Sequence, residues 1–264
     1  MIENAFVTFE GETGLLFSDK RHKTHPINYH YESGAGVFIF SLDRSYYGFV
    51  VKGGATITFD SGDYQSSVVS GQSFSLCTDG HMAFNGDIVI VEVFHEKGVY
   101  PDTNYRAENR VVGKIEETGR LKYIDGCTDS LLIPPVKMGD PCLNHLHFPT
   151  GIDQTCHTHP SHRIGVVYRG HGTCWTPFGT VDLYPGLVFI IKEWDGKKHR
   201  KGLDGERHPV GSHKFQTEDH TLDVIAFHPD SDFGATDVSH PMINRTIVDG
   251  IPASQIPKIQ TGSL

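Results

Sequence analysis

Short runs of Val, Ile, Phe, Tyr and Thr follow one another along the chain, broken roughly every eight to twelve residues by Gly, Pro, Asp or Asn. β-Branched and aromatic side chains suit the pleated, half-buried surface of a strand, and turn residues at that spacing leave room only for short strands. The pattern predicts an all-β chain of antiparallel strands with few helices, arranged as a barrel or a sandwich. One stretch lacks any sustained apolar period: YPDTNYRAENRVVGKIEETGRLKY (100–123) is polar and charged, and it reads as a linker with strands at its ends. The closing IPASQIPKIQTGSL (251–264), rich in Pro, Ser and Gln, is expected to wrap the surface or fray.

The strand pattern occurs twice. YYGFVVKGGATIT (46–58) lies over RIGVVYRGHGTCWT (163–176), with Gly48 on Gly165, Gly53 on Gly170 and Thr56 on Thr173 at one offset of 117 (165 − 48). Further on, SVVSGQSFSL (67–76) resembles VDLYPGLVFI (181–190), and DIVIVEVFH (87–95) resembles TLDVIAFHP (221–229). Two copies of one β unit is the simplest account, with the halves at 1–110 and 111–264.

Composition narrows the function classes. The chain has 264 residues, 38% of them hydrophobic, and no apolar run approaches the ~18–20 residues of a membrane span. A net charge of −9 argues against nucleic acid as a partner, although basic residues gather in KKHRK (197–201). The opening MIENAFVTFE lacks the basic and apolar regions of a secretory signal, so a cytoplasmic location is expected. Five cysteines without a CxxC pair fit reduced thiols. The count that changes the picture is 17 histidines, several of them between 145 and 171, which leans toward a metal or acid–base site.

His157 and His159 stand at i and i+2, so on a strand they point the same way, ~7 Å apart, and can share one ion. Gly151 precedes them by five intervening residues; three more lead to Arg163 and a further six to Gly170. At these residues the chain resembles the cupin superfamily, whose first motif is G-x5-H-x-H-x3/4-E-x6-G. Every spacing agrees, but the family's glutamate falls on Arg163. The second cupin motif is met in part by Gly179 and Pro185, with Gly186 following the proline directly. Its histidine is carried to His213, in His213-Lys214-Phe215, because in the repeat Gly71 is followed after ten residues by His81 and Gly186 after 27 by His213. The difference of 17 (27 − 10) places an insertion within residues 192–212; His199, inside it, is the rival ligand.

The resemblance implies two tandem cupin barrels (double-stranded β-helix or jelly-roll), the second binding metal. Subtracting 117 from the two histidines gives Phe40 and Leu42, so the first barrel is expected to be degenerate and structural, with His81 alone surviving. His157, His159 and His213 are the expected metal ligands, with His162 a candidate fourth in place of the missing carboxylate. Arg163, if it faces inward, would grip a substrate carboxylate or phosphate in bidentate fashion; an outward arginine is the other reading. His145 and His147 either line the same cavity or lie in the barrel wall. Cys142 and Cys156 lie near these histidines but match no structural zinc spacing. HKTHPINYH (22–30) reads as a strand edge or lid, and the tail 228–246, with its carboxylates and His240, is expected to fold across the barrel mouth or remain as surface turns.

Three histidines without a glutamate resemble the ligand sets of cupin thiol and diketone dioxygenases. The expected function is a metal-dependent enzyme acting on a small anionic organic substrate, Fe(II) being favoured and a dioxygenase the leading class. The alternatives are an isomerase, lyase or decarboxylase using Mn, Ni, Co or Zn, and a non-enzymatic cupin that binds a metabolite. The insertion would act as a lid, and the resemblance implies a homodimer.

Overall fold

The structure, a computed structural model, describes residues 2–22, 26–60, 62, 65–95, 106–236 and 240–256. Their regular structure is nearly all β, and every pairing between named strands is antiparallel. Pro241–Arg245 is the one α-helix among the described residues, five residues long. No helix among them is long and apolar enough to cross a membrane. The first half forms an eight-stranded sheet in which Arg44–Phe59 and Gly80–Phe94 pair along most of their length. The second half contains a seven-stranded sheet whose middle runs Val188–Ile191, Arg163–Gly170, Leu222–His228, Cys142–Phe148, Thr128–Ile133. A separate three-stranded sheet follows the order Gly179–Leu183, Gly172–Thr176, Lys214–Gln216.

The internal repeat is a physical one. Gly165 lies opposite Phe189 in the register, and a Cβ there would sit 2.6 Å from the Phe189 ring and 3.0 Å from the Ile225 carbonyl. Gly48 lies opposite Phe74 in the same way, its missing side chain leaving room for that ring. Gly53, within Arg44–Phe59, and Gly170, at the end of Arg163–Gly170, have φ of +75° and +81° and press against the backbone carbonyls of Asn85 and Thr221. Both positions need glycine, because a Cβ has neither the space nor the left-handed conformation.

Period-two alternation sorts the side chains of these strands into distinct apolar clusters. Phe38, Phe40, Tyr46, Phe74 and Met82 fill the first half's interior. Phe148, Val167, Phe189, Phe215 and Val224 fill the second's. The opposite faces meet between the halves, where Tyr29, Tyr47, Phe49 and Val91 pack against Ile164, Val166, Ile225 and Phe227. Across that junction the Tyr29 hydroxyl donates to the Gly165 carbonyl at 2.9 Å.

Strand pairing crosses the expected boundary at 110/111 in both directions. Phe6–Thr8 joins the second half by pairing with Val188–Ile191, while Arg110–Val112 joins the first by pairing with Ser73–Leu76. The halves thus exchange their ends across the 110/111 boundary. Burial explains the first exchange, since Phe6 is 1% exposed and stacks on Phe189 with ring centroids 4.7 Å apart.

The insertion forms a small hairpin, His199–Lys201 with Arg207–Pro209. Leu203 N–H donates to the Pro177 carbonyl and Gly211 N–H to Asn4, which pins the hairpin to the chain beneath it. Of the polar stretch 100–123, residues 100–105 lie outside the described residues, as do His25 in the N-terminal histidine cluster and 257–264 at the tail.

Candidate metal centre

The segment carrying His157 and His159 is extended but is not a regular strand. It touches the His213 segment at two isolated bridges, Asp153 with Gln216 and His157 with His213. Four steps on one side (157 − 153) face three on the other (216 − 213), and the odd residue interrupts the ladder. At the second bridge the backbones of His157 and His213 exchange both N–H···O bonds at 3.0 Å, bringing residues 56 apart into register (213 − 157).

The three rings converge. Centroids lie 4.5 Å apart for His157 and His213, 5.0 Å for His157 and His159, and 5.2 Å for His159 and His213. One ring nitrogen from each lies within 4.8 Å of the others. His157 Nδ1–H donates to the Thr155 carbonyl and His213 Nδ1–H to the Gly211 carbonyl, both at 2.8 Å. Those bonds fix the tautomer, leaving the lone pair on Nε2. The His159 backbone is held by Trp194 N–H, which donates to its carbonyl at 2.9 Å.

Burial, then the Arg163 charge and the neighbouring imidazoles, push His159 far below the ordinary histidine range. Burial and the nearby His157 push His213 down to about 3. Both rings are therefore neutral at physiological pH, the form that binds a metal. Three converging imidazoles, two of them with the Nδ1 proton bonded to backbone carbonyls outside the cluster, fit a divalent transition ion.

The cavity beside the triad lies between the two sheets of the second half. Phe148, Phe189, Phe215 and Val224 form its apolar wall, and Arg163 reaches it from the start of Arg163–Gly170. The orientation left open by the sequence is inward. Arg163 Nη1–H donates to Asp230 Oδ1 at 3.1 Å and to Ser161 Oγ, while the Ser161 hydroxyl donates to the same Asp230 oxygen at 2.5 Å. Arg163 Nε is buried without a hydrogen-bond partner among the described residues.

His162 does not join the triad. Adjacent residues entering a strand face opposite ways, so with Arg163 inward His162 turns toward the first half. There its Nδ1 accepts from Glu193 N–H at 3.1 Å, its Nε2 lies 3.8 Å from Asp19, and its ring packs against Phe17 and His22. The rival His199 is also elsewhere, on the inserted hairpin, where its Nδ1–H donates to Lys197 and its ring packs against Trp194. No residue of 192–212 lines the cavity, which removes the basis for the insertion as its lid.

His145 and His147 face the other side of the sheet from the cavity, because Leu146 and Phe148 face inward. Asp223 binds both there: His145 Nε2 lies 2.6 Å and His147 Nδ1 2.9 Å from its Oδ1, and Arg169 Nε donates to Oδ2 at 2.6 Å. Burial alone would push the Asp223 carboxyl up; the hydrogen bonds from His145, Arg169 and His147 hold it below its ordinary range. His145, His147 and Asp223 form a second, fully buried group of metal-competent side chains. Cys142 is buried and Cys156 exposed, and among the described residues neither joins such a group.

In the first half, Phe40, which the repeat offset of 117 matches to His157, is 2% exposed and packs against Phe38, Tyr46 and Phe74. Leu42 is exposed, and His81 pairs with Ile39 on the outer face.

Asp129, Tyr123, Gln154 and His228 also line the cavity. Sequence patterning did not single them out, although His228 ends the repeated TLDVIAFHP. Asp230 lies within the tail expected at the mouth. It reaches Arg163, and the chain beyond it bonds back at Gly139 with Ser231 and at Met138 with Ala235.

Solved structures share this architecture. The cupin 2 conserved barrel domain protein from Leptotrichia buccalis aligns with a TM-score of 0.52 at 10% identity, covering 85% of this chain and 89% of its own. Protein Ylba from E. coli aligns with a TM-score of 0.57 at 11% identity, over 89% and 94%. A variant of salicylate 1,2-dioxygenase from Pseudoaminobacter salicylatoxidans aligns with a TM-score of 0.51 at 14% identity, over 79% and 72%. No protein-family model matches the chain, and no curated protein matches it in sequence. The chain has the cupin fold, and its second half carries a histidine group able to hold a metal ion.

Proposed function

We propose that this chain is a metal-dependent enzyme acting on a small anionic organic substrate, with a non-haem Fe(II) dioxygenase as the leading class. The observation that carries the reading is the triad of His157, His159 and His213 facing a cavity that Arg163 enters. The three imidazoles would hold the ion as neutral ligands, leaving its full charge to polarise a bound oxygen donor and, for iron, supplying the redox chemistry that uses dioxygen.

This chain's residues supply binding and orientation. Arg163, held by Asp230 and Ser161, presents a fixed cation to the anionic group of the substrate. Phe148, Phe189 and Phe215 cover the organic body and exclude water. A structural neighbour that is a salicylate dioxygenase supports the same class of chemistry on a cupin fold. The homodimer is part of the proposal, and sedimentation tests it.

The deciding experiment is elemental analysis of protein purified anaerobically without an affinity tag. About one iron per chain, followed by oxygen consumption with small aromatic acids, thiols or diketones, is the expected result. Zinc, nickel or manganese at that ratio would turn the assignment to an isomerase, lyase or decarboxylase. A folded protein that binds none of these metals would overturn the metal-dependent reading.

A further inference from the structure

The cavity has a polar wall that the metal reading leaves unused. Asp129, on Thr128–Ile133, lines it beside its register partner Leu146 on Cys142–Phe148. Asn144 shares the inward face of that strand with Leu146 and Phe148. Asn144 Nδ2–H donates to Asp129 Oδ2 at 2.9 Å, which uses one oxygen of the carboxylate. The other oxygen, Oδ1 of Asp129, and the Asn144 amide oxygen are both shut off from solvent, and neither has a hydrogen-bond partner among the described residues.

Buried acceptors without a donor are rare, and their cost is greater when the acceptor is charged. An unpartnered carboxylate oxygen on a residue of the cavity wall, with an unpartnered amide oxygen on the residue that orients it, marks a place where a donor from a ligand fits. The Arg163 guanidinium of the same cavity is bound to Asp230 and Ser161. Arg163 and Asp129 nevertheless share a neighbourhood, since their charges act in opposite senses on both Tyr123 and Cys142. A cationic grip for an anion and a carboxylate grip for a donor thus occupy one cavity.

We propose that Asp129, oriented by Asn144, is a specificity-determining residue that accepts a hydrogen bond from a hydroxyl or amino group on a substrate whose carboxylate is taken by Arg163. The substrate class is then small hydroxy- or amino-carboxylic acids. A plain carboxylic acid gains the Arg163 contact but offers the Asp129 oxygen no donor, so the residue selects against it. The inference rests on the reading of this cavity as a metal-dependent substrate site, and it is independent of which metal is bound.

The test uses full-length protein loaded with Zn(II), which is redox-inert and leaves an oxidisable ligand intact, with metal content measured on every sample. Titration calorimetry with lactate, alanine and propionate compares acids with and without the donor. Wild-type protein is expected to bind lactate or alanine at least about tenfold more tightly than propionate, the preference a hydrogen bond to a charged acceptor supports. In Asp129→Leu the preference is expected to fall to within about twofold while zinc content stays at the wild-type level. Asp129→Asn, which keeps the size and one acceptor, is expected to lie between them and serves if the leucine variant does not fold. Equal affinity for the three acids in wild-type protein, a preference that survives in every folded variant, or no binding of lactate or alanine to fully zinc-loaded protein would each overturn the assignment of Asp129. A wild-type chain that fails to take up zinc would overturn the underlying metal reading as well, and the metal measurement separates that outcome from the others.

Discussion

At the level of single residues, the backbone decides which histidine nitrogen is free. Thr155 and Gly211 take the Nδ1 protons of His157 and His213, so the nitrogens left with lone pairs are on the side where the rings converge. His162 spends its Nδ1 on Glu193, and the Nδ1–H of His199 goes to Lys197. Substituting His157 or His213 by alanine is therefore expected to abolish metal retention, measured as metal per chain after desalting. His162→Ala, His199→Ala and His81→Ala are expected to retain it at the wild-type level. Equal metal content across all five variants would show that the triad is not the binding site. The glycine and histidine spacings from Gly151 to Gly170 were legible in the sequence. The Asp230 partner of Arg163 and the Asn144 partner of Asp129 were not, since carboxylates in a tail or on a strand carry no local mark of the side chain they meet.

At the level of strands, the repeat is enforced by glycine and phenylalanine together. Gly165 leaves room for the Phe189 ring, and the same device recurs with Gly48 and Phe74. Gly165→Ala is expected to lower stability by about 1–3 kcal/mol, the usual range for overpacking a filled interior, measured by urea denaturation. Combining it with Phe189→Leu should recover part of the loss; if the two effects simply add, ring and glycine do not interlock. The expected strand at His157 is an extended segment with an odd residue between its two bridges. Periodicity reports which way side chains point along a segment, but not whether its partner keeps step. The insertion at 192–212 was visible as extra length between Gly186 and His213, whereas its docking on Pro177 and Asn4 depends on contacts the length does not reveal.

Across the whole molecule, the two halves are joined by an apolar junction and by the exchange of their ends. Phe6 carries the N-terminal strand into the second half's interior, packing on Phe189 and Phe215. Phe6→Ala is expected to cost about 3–5 kcal/mol, as for other fully buried phenylalanines, seen as a lower urea midpoint. A loss under 1 kcal/mol would mean that the crossing contributes little. Stability is also expected to depend on pH through His95, which burial and the Arg106 charge push down to about 4 from an ordinary value of 6.5. Above about pH 6.5 the ring is neutral in both states. As pH falls toward 4 the unfolded chain binds a proton that the folded chain refuses, and stability is lost by up to about 1.4 kcal/mol per unit. The urea midpoint should therefore drop from pH 7 to pH 5, and less steeply in His95→Gln; an unchanged slope would remove His95 as the cause. The all-β character, the duplication and the His157 and His159 pair could be read from sequence, because alternation, turn glycines and ligand spacing are properties of a few consecutive residues. The crossing of Phe6–Thr8, the inward turn of Arg163 with Asp230 beneath it, and the separation of His145 and His147 from the cavity were decided only by tertiary structure, because each depends on which sheet face packs against what, and that is settled by residues far apart in the chain.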